Sequence, residues 1–204
     1  TGYLQNPQEI GFGYEKEGTK VNRPKGEKLT WHFKAPKVHD YAWAADPEYI
    51  HDKRTAADGT ILHFLYKNNP EIKENWKNLQ PITEKMLLYF NEHIGPYPWD
   101  QYTIIQGGDG GMEYPMVTVI SAGGSDMQLD EVITHEVGHN WFYGILASNE
   151  RQHTWMDEGF TSYIQDRALD AISGPPAARI SSSPAACARR GASPRGRAAP
   201  ARLP

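Results

Sequence analysis

The sequence predicts an α+β fold: the end of a β-rich domain over residues 1–69 runs into a helix-dominated domain over 70–170, and a tail follows. Three observations carry this division. Runs of β-branched and aromatic residues, some alternating with polar ones, fall before Pro70. From Pro70 apolar residues recur at spacings of three and four, the period of a helix with one buried face. After Asp170 large apolar residues nearly vanish, and Ala, Arg, Pro and Ser take over.

The opening TGYLQNPQEIGFGYEKEGTKVNRPKGEK is polar, Gly-rich and without a sustained period, which predicts loops and short strand ends. LTWHF at 29–33 alternates and predicts a half-buried strand, and PKVHDYAWAADPEYIHDKR a loop with short turns. Asp58-Gly59 then turns the chain into a strand, TILHFLY, at 60–66. Beyond Pro70, the residues Ile72, Trp76, Leu79, Ile82, Met86, Phe90 and Ile94 form one helical stripe. Pro81 is expected to break it into two helices, sitting in the first turn of the second, and Gly95-Pro96 to end it. YTIIQ at 102–106 and MVTVI at 116–120 predict strands, separated by the loop GGDGGMEYP. Helices are expected over about 127–145 and 156–169, with Asp126 or Asp130 capping the first.

The chain has 204 residues, enough for one ordinary domain or pieces of two. It begins at Thr1 rather than Met, so the natural N-terminus, with any signal it carried, is expected upstream, and the compartment is not read. No apolar run approaches the roughly 20 residues that span a bilayer. Cys187 is the only cysteine, which excludes a disulfide framework and a thiolate metal site but fits a cytosolic and an exported protein equally. Residues 1–170 hold all 25 acids and 15 of the 21 bases, a net −10 that speaks against nucleic acid as a partner. Residues 171–204 carry the other six bases, all Arg, and no acid. Their large apolar residues, Ile172, Ile180 and Leu203, are too few to offset chain entropy, and a disordered low-complexity tail is expected.

The chemistry concentrates in THEVGHNWFYGILASNERQHTWMDEGF, Thr134 to Phe160. His135 and His139 stand four apart, so on a helix they point the same way one turn apart and can grip one Zn²⁺. Glu136 follows the first of them about 100° round the helix, within reach of a metal-bound water without being a ligand. Such a site needs a third protein ligand and an open fourth position. Glu158 is the best candidate: it opens a second helical pattern after 18 intervening residues, enough to finish one helix, turn and pack another against it. Val132, Val137, Trp141, Phe142 and Ile145 can anchor the first helix, and Gly138 removes bulk beside the ligands. His153, between the two helices, reads as an exposed loop residue, and Trp31, Trp43, Trp76, Trp99 and Trp155 as core or cleft wall.

With these residues in view, HEVGH followed after 18 residues by the Glu of WMDEGF resembles the zinc signature of the aminopeptidase N and leukotriene hydrolase family of gluzincins. Thermolysin-type endopeptidases are similar but place their glutamate one residue further away. The family's second motif, GxMEN, is matched in its Gly, Met and Glu by GGMEYP at 110–115, upstream of the HEVGH helix and followed by the expected strand MVTVI. Tyr114 stands where the family commonly has Asn, and Asp157 where Asn is usual. Neither is a predicted ligand, so both are expected to leave zinc binding intact and to bear on substrate preference. The resemblance covers about 29–170 and implies a thermolysin-like catalytic subdomain, with its C-terminal part missing from this sequence.

The resemblance implies a zinc metallopeptidase holding one Zn²⁺ on His135, His139 and Glu158, with Glu136 as general base and then general acid. Glu113 corresponds to the acid that pairs with the free α-ammonium of a peptide, and Gly110, Gly111 and Met112 flank it where substrate backbone runs. Peptides with a free N-terminus are the implied partners. The family also carries an oxyanion-stabilising tyrosine well beyond the glutamate ligand, and here no Tyr follows Tyr163. The rival readings are an endopeptidase, an epoxide-opening hydrolase using the same zinc, and an inactive fragment that serves only as a binding module.

Overall fold

The computed structural model describes residues 1–108, 110–121 and 126–174. Mixed α and β structure is built around one five-stranded sheet of order β3-β4-β5-β7-β6. Its strands are β3 (Tyr49–Thr55), β4 (Ile61–Lys67), β5 (Gln101–Gly107), β6 (Gly111–Tyr114) and β7 (Val117–Ser121). A two-stranded pair, β1 (Tyr3–Leu4) with β2 (Phe33–Lys34), stands apart from it, near the short α1 (Pro7–Ile10). β3 and β4 form an antiparallel hairpin, β4-β5 and β5-β7 are parallel, and β6 folds back antiparallel on β7. One sheet therefore includes strands from both sides of Pro70.

The hairpin turn follows from its residues. Asp58 accepts the Thr60 N–H through its side chain, and Gly59 takes a positive φ of 94° that a Cβ would penalise. Along β4 the even positions Leu62, Phe64 and Tyr66 are fully buried on the helical side of the sheet, joined by Tyr102 and Ile104 of β5 and by Ile120 of β7. The odd positions face the other way. There Leu65, Thr103, Ile105 and Val117 line a cavity of about 950 Å³ walled by the N-terminal loops, including Trp31 and Trp43.

The parallel β4-β5 pair needs a crossover, and α2 (Pro70–His93) supplies it. Asn69 caps it by accepting the Glu71 N–H at 3.0 Å, and Pro70 takes a first-turn position where a missing N–H costs nothing. Pro81 does not split this helix, contrary to expectation: all 24 residues are continuous. The carbonyl that Pro81 leaves without a donor belongs to Lys77, an exposed residue, while Trp76, Leu79, Met86, Leu87 and Phe90 hold the apolar stripe in the core on both sides of the proline.

Further expectations change. PKVHDYAWAADPEYIHDKR is not all loop, because Tyr49–Thr55 forms β3, held by its pairing with β4. LTWHF is no strand: only Phe33 and Lys34 pair, with Leu4 and Tyr3, and the aromatic alternation serves a stack of Phe12, Trp31 and Phe33 instead. The stretch GGDGGMEYP is not all loop, because Gly111–Tyr114 forms the edge strand β6. The helix expected over 127–145 is α3 (Asp126–His139) followed without a break by a π-helical stretch, Asn140–Ile145. Asp130 lies in the second turn of α3, where N–H groups already have intrahelical acceptors, so it is no cap; its carbonyl receives the Thr134 hydroxyl at 2.5 Å. The Asp126 side chain lies outside the described residues. The last helix, α4 (Phe160–Ser173), follows a π-helical turn at Trp155–Gly159. It includes residues 171–173 of the expected tail, with Ile172 packed against the core, and the rest of that tail from 175 lies outside the described residues. No helix among the described residues is long and apolar enough to cross a membrane.

Packing fixes α3 against its neighbours. Leu129, Ile133 and Val137 are buried, and a Cβ on Gly138 would press on Thr161 Cγ2 at 3.1 Å, so glycine there admits α4. Asn140 is 2% exposed and ties α3 to the sheet. Its Oδ1 accepts the Met116 N–H and its Nδ2 donates to the Val137 carbonyl, both at 3.2 Å. Met116 sits in the tight β6-β7 turn after Pro115 at a φ of 68°, a conformation usually left to glycine, so this hydrogen bond holds a strained position. Replacing Asn140 with Ala would leave a buried N–H unpaired, and the expected loss of stability is about 1–3 kcal/mol. Urea unfolding reads it; an unchanged midpoint would show that the turn holds itself.

On the far face of the sheet, His51 Nδ1 lies 2.8 Å from the Phe12 carbonyl and must donate to it. His51 Nε2 then accepts from His63 Nδ1 at 2.8 Å, so the His51 ring is neutral. Burial, then the neighbouring His51 and Lys53, push the His63 pKa down to about 3. In the unfolded chain it sits near 6.5, so between these values the unfolded state binds the extra proton and stability falls with acid. The expected slope from His63 alone approaches about 1.4 kcal/mol per pH unit below pH 6.5 and is absent above it. Denaturation midpoints across that range in the parent and in His63→Gln measure it, and identical slopes would assign the acid sensitivity elsewhere.

Candidate metal centre

His135, Glu136 and His139 occupy the last turns of α3, and the four-residue step brings the two imidazoles together. Their Nε2 atoms lie 3.0 Å apart with the rings at 85°. Glu158 reaches the same point from the π-helical turn before α4: its Oε2 is 3.0 Å from His135 Nε2 and 3.8 Å from His139 Nε2.

The other ring nitrogens decide what these atoms present to one another. His135 Nδ1 lies 2.9 Å from Gln165 Oε1, an acceptor that holds a proton on Nδ1. His139 Nδ1 lies 2.6 Å from Asp157 Oδ1 and 3.3 Å from Thr161 Oγ1. With a proton on each Nδ1, both Nε2 atoms point lone pairs at each other and at a carboxylate oxygen. In that tautomer three electron-pair donors converge, an arrangement that suits a cation. A tetrahedral ion with bonds of about 2.0–2.1 Å holds its donors about 3.3 Å apart, and the separations of 3.0, 3.0 and 3.8 Å bracket that value. Two imidazoles and one carboxylate are a donor set that suits zinc.

Glu136 faces β6 rather than its neighbouring histidines' focus. A Cβ on Gly111 would collide with Glu136 Oε1, so the carboxylate fills the space that glycine leaves. Its Oε2 meets no hydrogen-bond donor among the described residues. Burial pushes its pKa up to about 8; His139 opposes the rise, while Glu113, Glu158 and Asp157 add to it. Glu113, on β6, is 7% exposed and lies 4.0 Å from His139 Nδ1 through its Oε1. Burial raises its pKa as well, against the pull of His139. For His139 itself burial disfavours the imidazolium, but Asp157, Glu113 and Glu136 outweigh burial and raise its pKa.

These groups line a cleft of about 300 Å³. Gly111 and Met112 form one wall, and Glu150, Arg151 and Thr154, from the loop after the π-helical stretch, form another. Gly110 is exposed at the head of β6. Of the predicted set, His135, His139 and Glu158 converge on one point, Glu136 and Glu113 face the same cleft from two sides, and His153 is an exposed loop residue. Trp76 and Trp99 are core, whereas Trp155 is 64% exposed.

Several parts of the arrangement carry little mark in the local sequence. Asp157 was expected to have no bearing on the ligands, and it abuts His139 directly; its adjacency to Glu158 on a helical turn was the available signal. Gln165 lies seven residues beyond Glu158, two helical turns on, and nothing in its type marks it out. A reading by period also could not foresee Glu150 and Arg151, which come from a loop.

The same segment is found in known proteins. The model of the Peptidase family M1 domain matches residues 79–190. Leucine aminopeptidase 2 of Pyricularia oryzae is 31% identical over 175 residues, covering 81% of this chain and 27% of that protein. Leucine aminopeptidase 2 of Ajellomyces capsulatus is 32% identical over 115 residues, 53% of this chain and 18% of that protein. Leukotriene A-4 hydrolase of Xenopus laevis is 35% identical over 91 residues, 42% of this chain and 15% of that protein. The chain thus spans about a quarter or less of the length of these relatives. With the family model covering more than half of it, including β6, α3 and α4, the chain belongs to peptidase family M1.

Proposed function

We propose that this chain carries the zinc site and catalytic acid of an aminopeptidase that removes N-terminal residues from peptides. The observation that carries the reading is the convergence of three lone-pair donors beside a buried, unpartnered carboxylate. Family membership supports it, since M1 peptidases are zinc-dependent in general, and so do relatives named as aminopeptidases. His135, His139 and Glu158 would hold one zinc ion, which would supply Lewis-acid polarisation of the scissile carbonyl and acidify water.

The remaining chemistry belongs to the chain's own groups. Glu136, free of protein partners at Oε2, takes the proton of the attacking water and hands it to the leaving amine. It does so only as carboxylate. Burial and the neighbouring acids, against the pull of His139, put its pKa at about 8, and a divalent charge nearby favours the ionised form, so the working pKa lies below that value. Glu113, desolvated on β6, pairs with the α-ammonium of the substrate; a capped peptide would leave it buried and alone. β6 is the edge strand of the sheet, with no strand among the described residues paired to its outer side, where an extended peptide would run past Gly110, Gly111 and Met112.

Three outcomes follow for the zinc-loaded protein. Glu136→Gln keeps one bound zinc and loses about 10²–10⁴-fold in kcat, and the parent's kcat/KM rises with pH along a limb whose midpoint is below 8; full activity in the variant would remove Glu136 as base. Glu113→Gln raises KM for free peptides and abolishes their preference over N-acetylated ones, and an unchanged preference would detach Glu113 from the ammonium. Gly111→Ala, which displaces the Glu136 carboxylate, lowers kcat with zinc content intact; an unaltered kcat would mean that Glu136 has room to spare.

A further inference from the structure

We infer that Asp157 sets the zinc affinity of this site by gripping the far nitrogen of His139, which makes it a positioning residue for the metal rather than a determinant of substrate preference. The inference rests on the reading of His135, His139 and Glu158 as zinc ligands.

The geometry is direct. His139 is 1% exposed and Asp157 3%, so neither side chain can satisfy itself with bulk water. Asp157 Oδ1 lies 2.6 Å from His139 Nδ1, within ion-pair distance, and has no hydrogen-bond partner among the described residues, so this nitrogen is the polar group it faces. Thr161 Oγ1, at 3.3 Å from the same nitrogen, closes the pocket from α4. The backbone links this grip to the ligand set. Asp157 and Glu158 are consecutive on the π-helical turn Trp155–Gly159 and straddle one imidazole: Asp157 stands at Nδ1, and Glu158 Oε2 lies 3.8 Å from Nε2. A single turn of chain thus delivers a ligand and the group that orients its neighbour.

A carboxylate at Nδ1 does three things for the opposite nitrogen. It fixes the tautomer, so the lone pair sits on Nε2; it locks the ring plane; and its charge increases the electron density that the imidazole offers a cation. A neutral amide of the same shape keeps the first two effects in part and loses the third. The two imidazoles are not equivalent in this respect. His135 Nδ1 faces only the neutral Gln165 amide, so the charged support is concentrated on His139. Glu113, the other buried acid near His139 Nδ1, is 4.0 Å away, beyond hydrogen-bond reach, and cannot replace Asp157 without moving.

The test is zinc affinity, read by competition with a chromophoric chelator for the parent, Asp157→Asn and Asp157→Ala. The expected loss for Asp157→Asn is about 10- to 100-fold, with Asp157→Ala at least as weak, and with the d–d absorption bands of the Co²⁺-loaded form shifted in both. Equal affinity and unshifted bands in a folded Asp157→Asn variant would overturn the inference while leaving the ligands standing. A parent that takes up no zinc would defeat the ligand reading itself, and this inference with it. Should both variants fail to fold, ¹⁵N-histidine spectra of the zinc-loaded parent decide the matter. A metal-bound Nε2 and a strongly deshielded Nδ1 proton on His139 support the grip, whereas a metal-bound Nδ1 excludes it.

Discussion

The close approach of α3 to the edge strand β6 is the constraint on which the cleft depends. The helix must come near enough for the Glu136 carboxylate to occupy the volume that a side chain at position 111 would fill. Glycine makes this possible and Asn140 makes it unique, since its amide spans from α3 to the turn that returns β6 to β7. Beneath it the Tyr102 and Thr118 hydroxyls, 2.5 Å apart, extend the same buried polar seam across β5 and β7. Polar links of this kind are costly unless complete, so they select one arrangement of helix and sheet.

Charge follows from that closeness. Glu113, Glu136 and Asp157 are all nearly inaccessible to solvent and surround one imidazole. No basic side chain among the described residues is buried with them; Arg151, on the cleft wall, is exposed. Such a concentration of desolvated acid is unfavourable by itself and becomes favourable around cations. A metal ion at Nε2 and an ammonium beside Glu113 would each answer part of it, and this ties the electrostatics of the fold to the occupancy of the cleft.

How much of this could be read from the chain alone depends on which interactions are local. The four-residue step of HEVGH and the helical repeat from Pro70 are local, and β4, β5 and β7 lie within a residue or so of the runs that announced them. Pro81 carries a local penalty that predicts a break, and the core that Trp76, Leu79, Met86 and Phe90 build on either side of it outweighs that penalty. β6 was hidden because four glycines and a proline in nine residues mask a strand whose only partner among the described residues is β7. Asp157 was misjudged for a deeper reason. Its importance lies in the nitrogen it touches, 18 positions earlier in the chain, and no local pattern reports such a pair.

The π-helical backbone on both sides of the 140–157 connection has a consequence for how the molecule holds together. Beyond the buried Trp141 and Tyr143 the chain leaves the packing and returns at the turn that carries Glu158, with Ser148 to Thr154 largely solvated. An ion bound across His139 and Glu158 closes this excursion like a clasp, and the entropy it removes from the open chain is that of tying an 18-residue loop. Without an ion, the solvated stretch is held from its two ends, by Trp141 on the Gly95 carbonyl and Tyr143 on Asp40 before it and by Asp157 against His139 after it. Loss of metal should therefore be felt first as local opening here, with proteases cutting between residues 146 and 154, while the sheet and α2 stay closed.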